Sequence, residues 1–121
     1  MAFDGTEGSF THKQHAASLT KKHRTDHPES ISSQFFGKEK LLHLLNHPDC
    51  VGIRIYNSKS DEGQHGFVVV GVNAEEKDLL HHPEGAERSV ALAAPAEATS
   101  LILVNGPCCP PSCATENELN A

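Results

Sequence analysis

The chain has 121 residues, room for one domain and one core, and only 27 of them are Leu, Ile, Val or Phe, near the level at which chains stay unfolded. With one Tyr and no Trp, apolar walls for a large closed active-site cavity are lacking. The formal charge of −6 arises wholly in residues 74–121, where eight acids face Lys77 and Arg88, and such a chain is repelled by a phosphate backbone, which excludes nucleic acid as an expected partner.

Residues 1–10 read as a loose lead-in. Thr11 and Gln14 have capping-box spacing, so a helix is expected from about His12 to Thr25, ending before His27-Pro28 because the residue before proline avoids the helical region. Its Lys21, Lys22 and Arg24 read as a solvated face rather than a nucleic-acid patch, since no aromatics interleave them. Lys38 to Asn46 is the clearest helix. Leu41, Leu42, Leu44 and Leu45 predict burial on more than one side, and Asn46 predicts a left-handed C-terminal cap.

Val51 to Tyr56 alternates, with Val51, Ile53 and Ile55 on one face and Gly52, Arg54 and Tyr56 on the other, as in a half-buried strand. Phe67 to Val72 is nearly continuous apolar sequence, the pattern of a central strand covered on both faces. The polar stretch Asn57 to Gly66 between them predicts a long hairpin loop and antiparallel pairing. Glu75 to Pro83 reads as a loop or single turn, with Leu79 and Leu80 tucked onto the core. Ala91 to Ala98 is interrupted by Pro95, and Leu101 to Val104 is a candidate third strand. The segment from Cys108 onward has no regular pattern.

The expected architecture is therefore α+β: a small antiparallel sheet of two or three strands packed by one or two helices, with irregular termini. It is read as a single domain over 1–121 with its core at about 28–105. No apolar stretch reaches the roughly 20 residues that cross a bilayer, and residues 1–30 hold no apolar run of leader length. No membrane partner is expected, and a cytoplasmic location is.

Cys109 and Cys113, with three residues between them, have spacing that zinc sites permit. They supply half a tetrahedral set, which Cys50, Cys108 or a histidine would complete. A disulfide and unpaired thiols are the alternatives. His23/His27 and His43/His47 are four apart, but no His-Glu-x-x-His accompanies them, and surface histidines account for them equally. His81-His82 belongs with these. No Gly-x-Ser-x-Gly elbow, phosphate loop or dinucleotide fingerprint occurs, so catalysis is not expected. Arg54 and Tyr56 share a strand face that looks outward if the other face is buried, and both residue types are enriched at binding hot spots, which makes them the candidate interaction residues.

Taken together, Phe35-Phe36-Gly37-Lys38, Cys50-Val-Gly-Ile-Arg-Ile-Tyr56, Val69-Val70-Gly71-Val72 and the late Cys109-Pro-Pro-x-Cys113 resemble a group of small uncharacterised bacterial proteins. The resemblance covers about residues 30–80 and 107–113. The chain departs from the group's pattern at 84–104 and in its doubled Cys108-Cys109. No activity or cofactor comes with the resemblance; it implies that Cys50, Cys109 and Cys113 belong together. The leading expectation is a non-enzymatic protein-binding or assembly module that binds another protein or itself, with no cofactor. The alternative is a small zinc-binding or thiol-redox protein using those three cysteines.

Overall fold

A computed structural model describes residues 2–81 and 100–120. The fold is α+β, with two helices and two small antiparallel sheets. In chain order these are α1 (Lys13–Asp26), β1 (Ser33–Gln34), α2 (Lys38–Leu45), β2 (Cys50–Lys59), β3 (His65–Asn73), β4 (Asp78–Leu79) and β5 (Cys108–Cys109). One sheet has the order β2-β3-β4 and the other pairs β1 with β5. The chain divides into two compact units, the first holding Met1–Glu7, Gly37–Tyr56 and Val68–Val104, the second holding the rest. The stretches at 82–99, including Ala91 to Ala98 and His82-Pro83, lie outside the described residues.

In the first unit β3 is the central strand, as its valines predict. Val69, Val70 and Val72 are buried, since a strand with neighbours on both edges loses its backbone to water and keeps apolar side chains on both faces. Asn73 turns the chain: its Oδ1 accepts from the backbone N–H of Glu75 and of Lys77, both at 2.9 Å, and Glu76 adopts a left-handed φ of 69°. The turn returns β4 to β3, pairing Leu79 with Gly71 and Asp78 with Val72. The third strand is thus β4, from a stretch expected to be a loop. Leu101 to Val104 contributes a single antiparallel bridge, Leu103 to Val69, with reciprocal bonds of 2.9 Å. Leu79 is half-buried, whereas Leu80 stays exposed.

Helix α2 forms where the leucines predict it but is buried on one side only. Leu44 is 3% exposed, while Leu42 and Leu45 are 43% and 45% exposed. Eight residues make barely two turns, and one stripe of such a helix meets the sheet. That contact falls at Gly71, where an added Cβ would stand 3.1 Å from Cys50 Sγ, a tight approach, and 3.5 Å from the Leu44 carbonyl oxygen, an ordinary contact. Asn46 caps the helix in the right-handed region (φ −80°, ψ −4°), not the left-handed one, because its N–H continues the ladder to the Leu42 carbonyl.

In the second unit α1 buries no residue. Its N-cap is His12, whose ring accepts from the His15 N–H at 3.3 Å, one position later than the Thr11 cap expected. The carboxyl-terminal segment fastens the helix: Lys13 pairs with Glu118 at 3.0 Å, and Arg24 donates to the Leu119 carbonyl at 2.5 Å. The segment from Cys108 onward, without pattern in the sequence, supplies β5. Ser33 pairs with Cys109 and Gln34 with Cys108. Gln34 extends this order by donating to the Gly106 carbonyl (2.7 Å) and accepting from the Phe67 N–H (2.9 Å). The hairpin loop is shorter than its polar sequence suggests. β2 runs to Lys59 and β3 starts at His65, leaving Ser60 to Gln64 as the turn, with Gly63 at φ +87°.

Candidate functional site

Arg54 and Tyr56, the expected interaction residues, converge on one carboxylate. Arg54 Nη1 donates to Asp78 Oδ1 at 2.5 Å and the Tyr56 hydroxyl donates to Asp78 Oδ2. Asp78 stands opposite Val72 in register, so all three polar side chains lie over the face that carries Val72. Arg54 also reaches the Glu76 carbonyl at 3.4 Å, and its guanidinium lies 5.9 Å from the centre of the Phe3 ring, within cation–π range. The adjacent Tyr56 oxygen, and with it the Asp78 charge, holds the guanidinium above its already high ordinary value against the opposing effect of burial. Arg54 is charged throughout the accessible pH range.

Residues 2–7 bring Phe3 to this place. The Phe3 N–H bonds to the Ala74 carbonyl at 2.9 Å, and Gly5 passes so near β2 that a Cβ there would stand 3.1 Å from the Val51 carbonyl oxygen. A cleft of about 400 Å³ opens between Phe3, Glu7 and the Val51–Arg54 stretch, floored by Val72. Of the row expected to look outward, Gly52 and Arg54 are half-buried, Arg54 being carboxylate-bound with its side chain 34% exposed, whereas Tyr56 stays exposed at 44%. The freer face of β2 is the isoleucine one, with Ile53 40% and Ile55 56% exposed. Alternation in the sequence identifies two faces of a strand but not which of them the rest of the chain covers.

The cysteines separate into three situations. Cys109 and Cys113 are joined in a disulfide, with Cα atoms 4.7 Å apart. With both sulfurs bonded to each other, neither offers a thiolate to a metal or substrate in this state. Cys108, one residue earlier, is free. Cys50 is also free and belongs to the first unit, where its Sγ donates to the Gly52 carbonyl at 3.1 Å. Among the described residues no group of three or more His, Cys, Asp or Glu side chains is arranged to hold a metal ion. The His23 and His27 rings lie 5.1 Å apart on the exposed end of α1, and His47 caps the Asp49 N–H locally at 3.0 Å. Asp78 is the site residue that sequence reasoning missed. Its signal was the Asn73-led turn, which returns an acid to the sheet two residues after Glu76.

No helix among the described residues is long and apolar enough to cross a membrane. No family model matches the chain, and neither a curated protein nor a solved structure matches it.

Proposed function

We propose that the protein is an assembly module in which β2 pairs with β2 of a second copy. One observation carries this reading: β2 is an edge strand ten residues long, and it presents Ile53 and Ile55 to water on its outer face. An unpaired edge of that length with apolar side chains invites another strand. Pairing about a two-fold axis through Arg54 sets Ile53 of one copy beside the second copy's Ile55, so the Ile53–Ile55 pair forms twice and each isoleucine gains one apolar neighbour. On the opposite face the two Arg54 side chains meet as neutral Arg–Asp units, because each brings its own Asp78.

No cofactor enters this reading, and zinc or thiol-redox chemistry at Cys109 and Cys113 is its alternative once their disulfide is reduced. A Cys109–Cys113 disulfide favours an oxidising compartment over the cytoplasm. Sedimentation velocity across a concentration series tests the proposal. The expected result is a reversible dimer that Ile53→Lys, at an exposed position, converts to monomer without loss of secondary structure. A wild-type chain that stays monomeric at high micromolar concentration overturns it.

A further inference from the structure

Beyond assembly, the second unit contains an arrangement with chemical potential. Ser30, just after the Pro28 turn, places its Oγ 3.2 Å from Nδ1 of His65, the first residue of β3. The other ring nitrogen, Nε2, lies 2.9 Å from Oδ1 of Asn57 on β2. An amide oxygen only accepts, so this pairing requires the proton on Nε2. A neutral imidazole protonated there has its lone pair on Nδ1, and that lone pair faces the Ser30 hydroxyl. The His65 ring is held from a third side by an edge contact with Phe67 at 5.0 Å between centroids. Nucleophile, base and orienting group thus stand in order within hydrogen-bond reach, the relation that activates a serine in acyl transfer.

Ser30 and His65 are half-buried and line a cleft of about 540 Å³ with Ile31, Pro110, Asp26 and Glu29. We propose that Ser30, His65 and Asn57 form a hydrolytic site for small esters. Its apolar patch at Ile31 and Pro110 receives an acyl group, and its acidic rim disfavours anionic substrates. In the first step Ser30 Oγ bonds to the ester carbonyl carbon while its proton passes to His65 Nδ1. The tetrahedral adduct then expels the alkoxide, which leaves as alcohol with that proton. A water molecule next attacks the acyl-Ser30 ester, giving one proton to His65 and its oxygen to the carbonyl carbon. The carboxylic acid departs and Ser30 recovers its proton. Ester and water become acid and alcohol, with no other reactant. Asn57 is a positioning residue, since it touches only the imidazole.

The site is invisible to motif searching because its members, 35 residues apart at the extremes, are brought together by folding.

Labelling of the full chain with a fluorophosphonate tests the proposal: Ser30 Oγ displaces fluoride from phosphorus, and tandem mass spectrometry locates the adduct. The expected outcome is modification at Ser30, abolished in Ser30→Ala, slowed roughly 100-fold or more in His65→Gln and about tenfold in Asn57→Ala. Asn57 is exposed, so that variant keeps the test meaningful if His65→Gln fails to fold. Long-range proton–nitrogen NMR of the native chain should show the Nε2–H tautomer of His65. Absence of Ser30 adduct, equal rates in wild type and Asn57→Ala, or a dominant Nδ1–H tautomer each overturns the assignment.

Discussion

Asp78 accepts from Arg54 across an intervening strand: Arg54 Nη1 lies 2.5 Å from Asp78 Oδ1 although β3 separates β2 from β4 in the sheet. The pair therefore ties a two-residue strand, which has few ladder bonds of its own, to the far edge of the sheet. Both side chains are partly shielded, at 34% and 21% exposure, which removes some of the solvent screening that makes surface pairs weak.

Replacing Asp78 by Ala withdraws the acceptor from Arg54 and from Tyr56 at once. We expect the thermal midpoint to fall by about 5 °C. Tyr56→Phe should lower it less. Arg54→Ala and Asp78→Ala combined should cost little more than the worse single change, since they remove the same contact. Circular dichroism melts of the four variants check this, and a midpoint unchanged in Asp78→Ala would show that the pair contributes nothing.

The α2 leucines test how a short helix divides its side chains. Leu44→Ala should destabilise the chain by about 2–5 kcal/mol, because a buried leucine loses both transfer energy and packing. Leu42→Ala, at an exposed position, should stay within about 0.5 kcal/mol of wild type. Urea unfolding measures both. Equal losses at the two positions would mean that the helix is covered on both sides, as its sequence alone suggests.

That last contrast shows where the sequence was legible. Val69, Val70 and Val72 announced a central strand because continuous apolar residues have no other use in a short segment. The stop at His27-Pro28 follows from proline sterics, which act locally. β4 and β5 were not legible, since two residues carry no period. The fate of Arg54 was not legible either. Its partner Asp78 is 24 residues away, and only the Asn73 turn determines that an acid arrives there. Four leucines in five positions look the same whether one or three are buried, and only the packed structure shows that Leu44 is the buried one. The group formed by Ser30, Asn57 and His65 depends entirely on tertiary placement.

The carboxyl-terminal segment should report its attachment to α1 through Glu118. The Lys13 ammonium, 3.0 Å away, holds the Glu118 carboxyl below its ordinary value, with a smaller contribution from its own backbone N–H. A carboxyl whose folded value lies below its unfolded one adds stability above the unfolded value. That contribution disappears as pH falls through the folded value. Carbon-detected NMR titration should place the Glu118 midpoint below that of a solvated glutamate, and Lys13→Ala should raise it. An unchanged midpoint in Lys13→Ala would show that the segment is not held there. Both groups face solvent, so added salt should weaken the effect.

The disulfide gives the clearest chemical prediction, because the chain offers its own controls. Cys109 and Cys113 are bonded, whereas Cys108 beside them and Cys50 on β2 are not. Alkylation of the native chain without reductant should modify Cys50 and Cys108 alone, and all four cysteines after reduction; peptide mass mapping separates Cys108 from Cys109. The ring closed by the bond is short, so the loop-entropy contribution is about 2 kcal/mol, and reduction should lower unfolding stability by that order. Cys109 is buried and pairs with Ser33, so the loss should reach β1 rather than stay in the tail. Hydrogen exchange at the Ser32 N–H, which donates to the Cys109 carbonyl at 2.8 Å, should accelerate on reduction. Alkylation of Cys109 or Cys113 without reductant would mean that the native thiols are free, and it would return both sulfurs to the pool available for a metal or for redox chemistry.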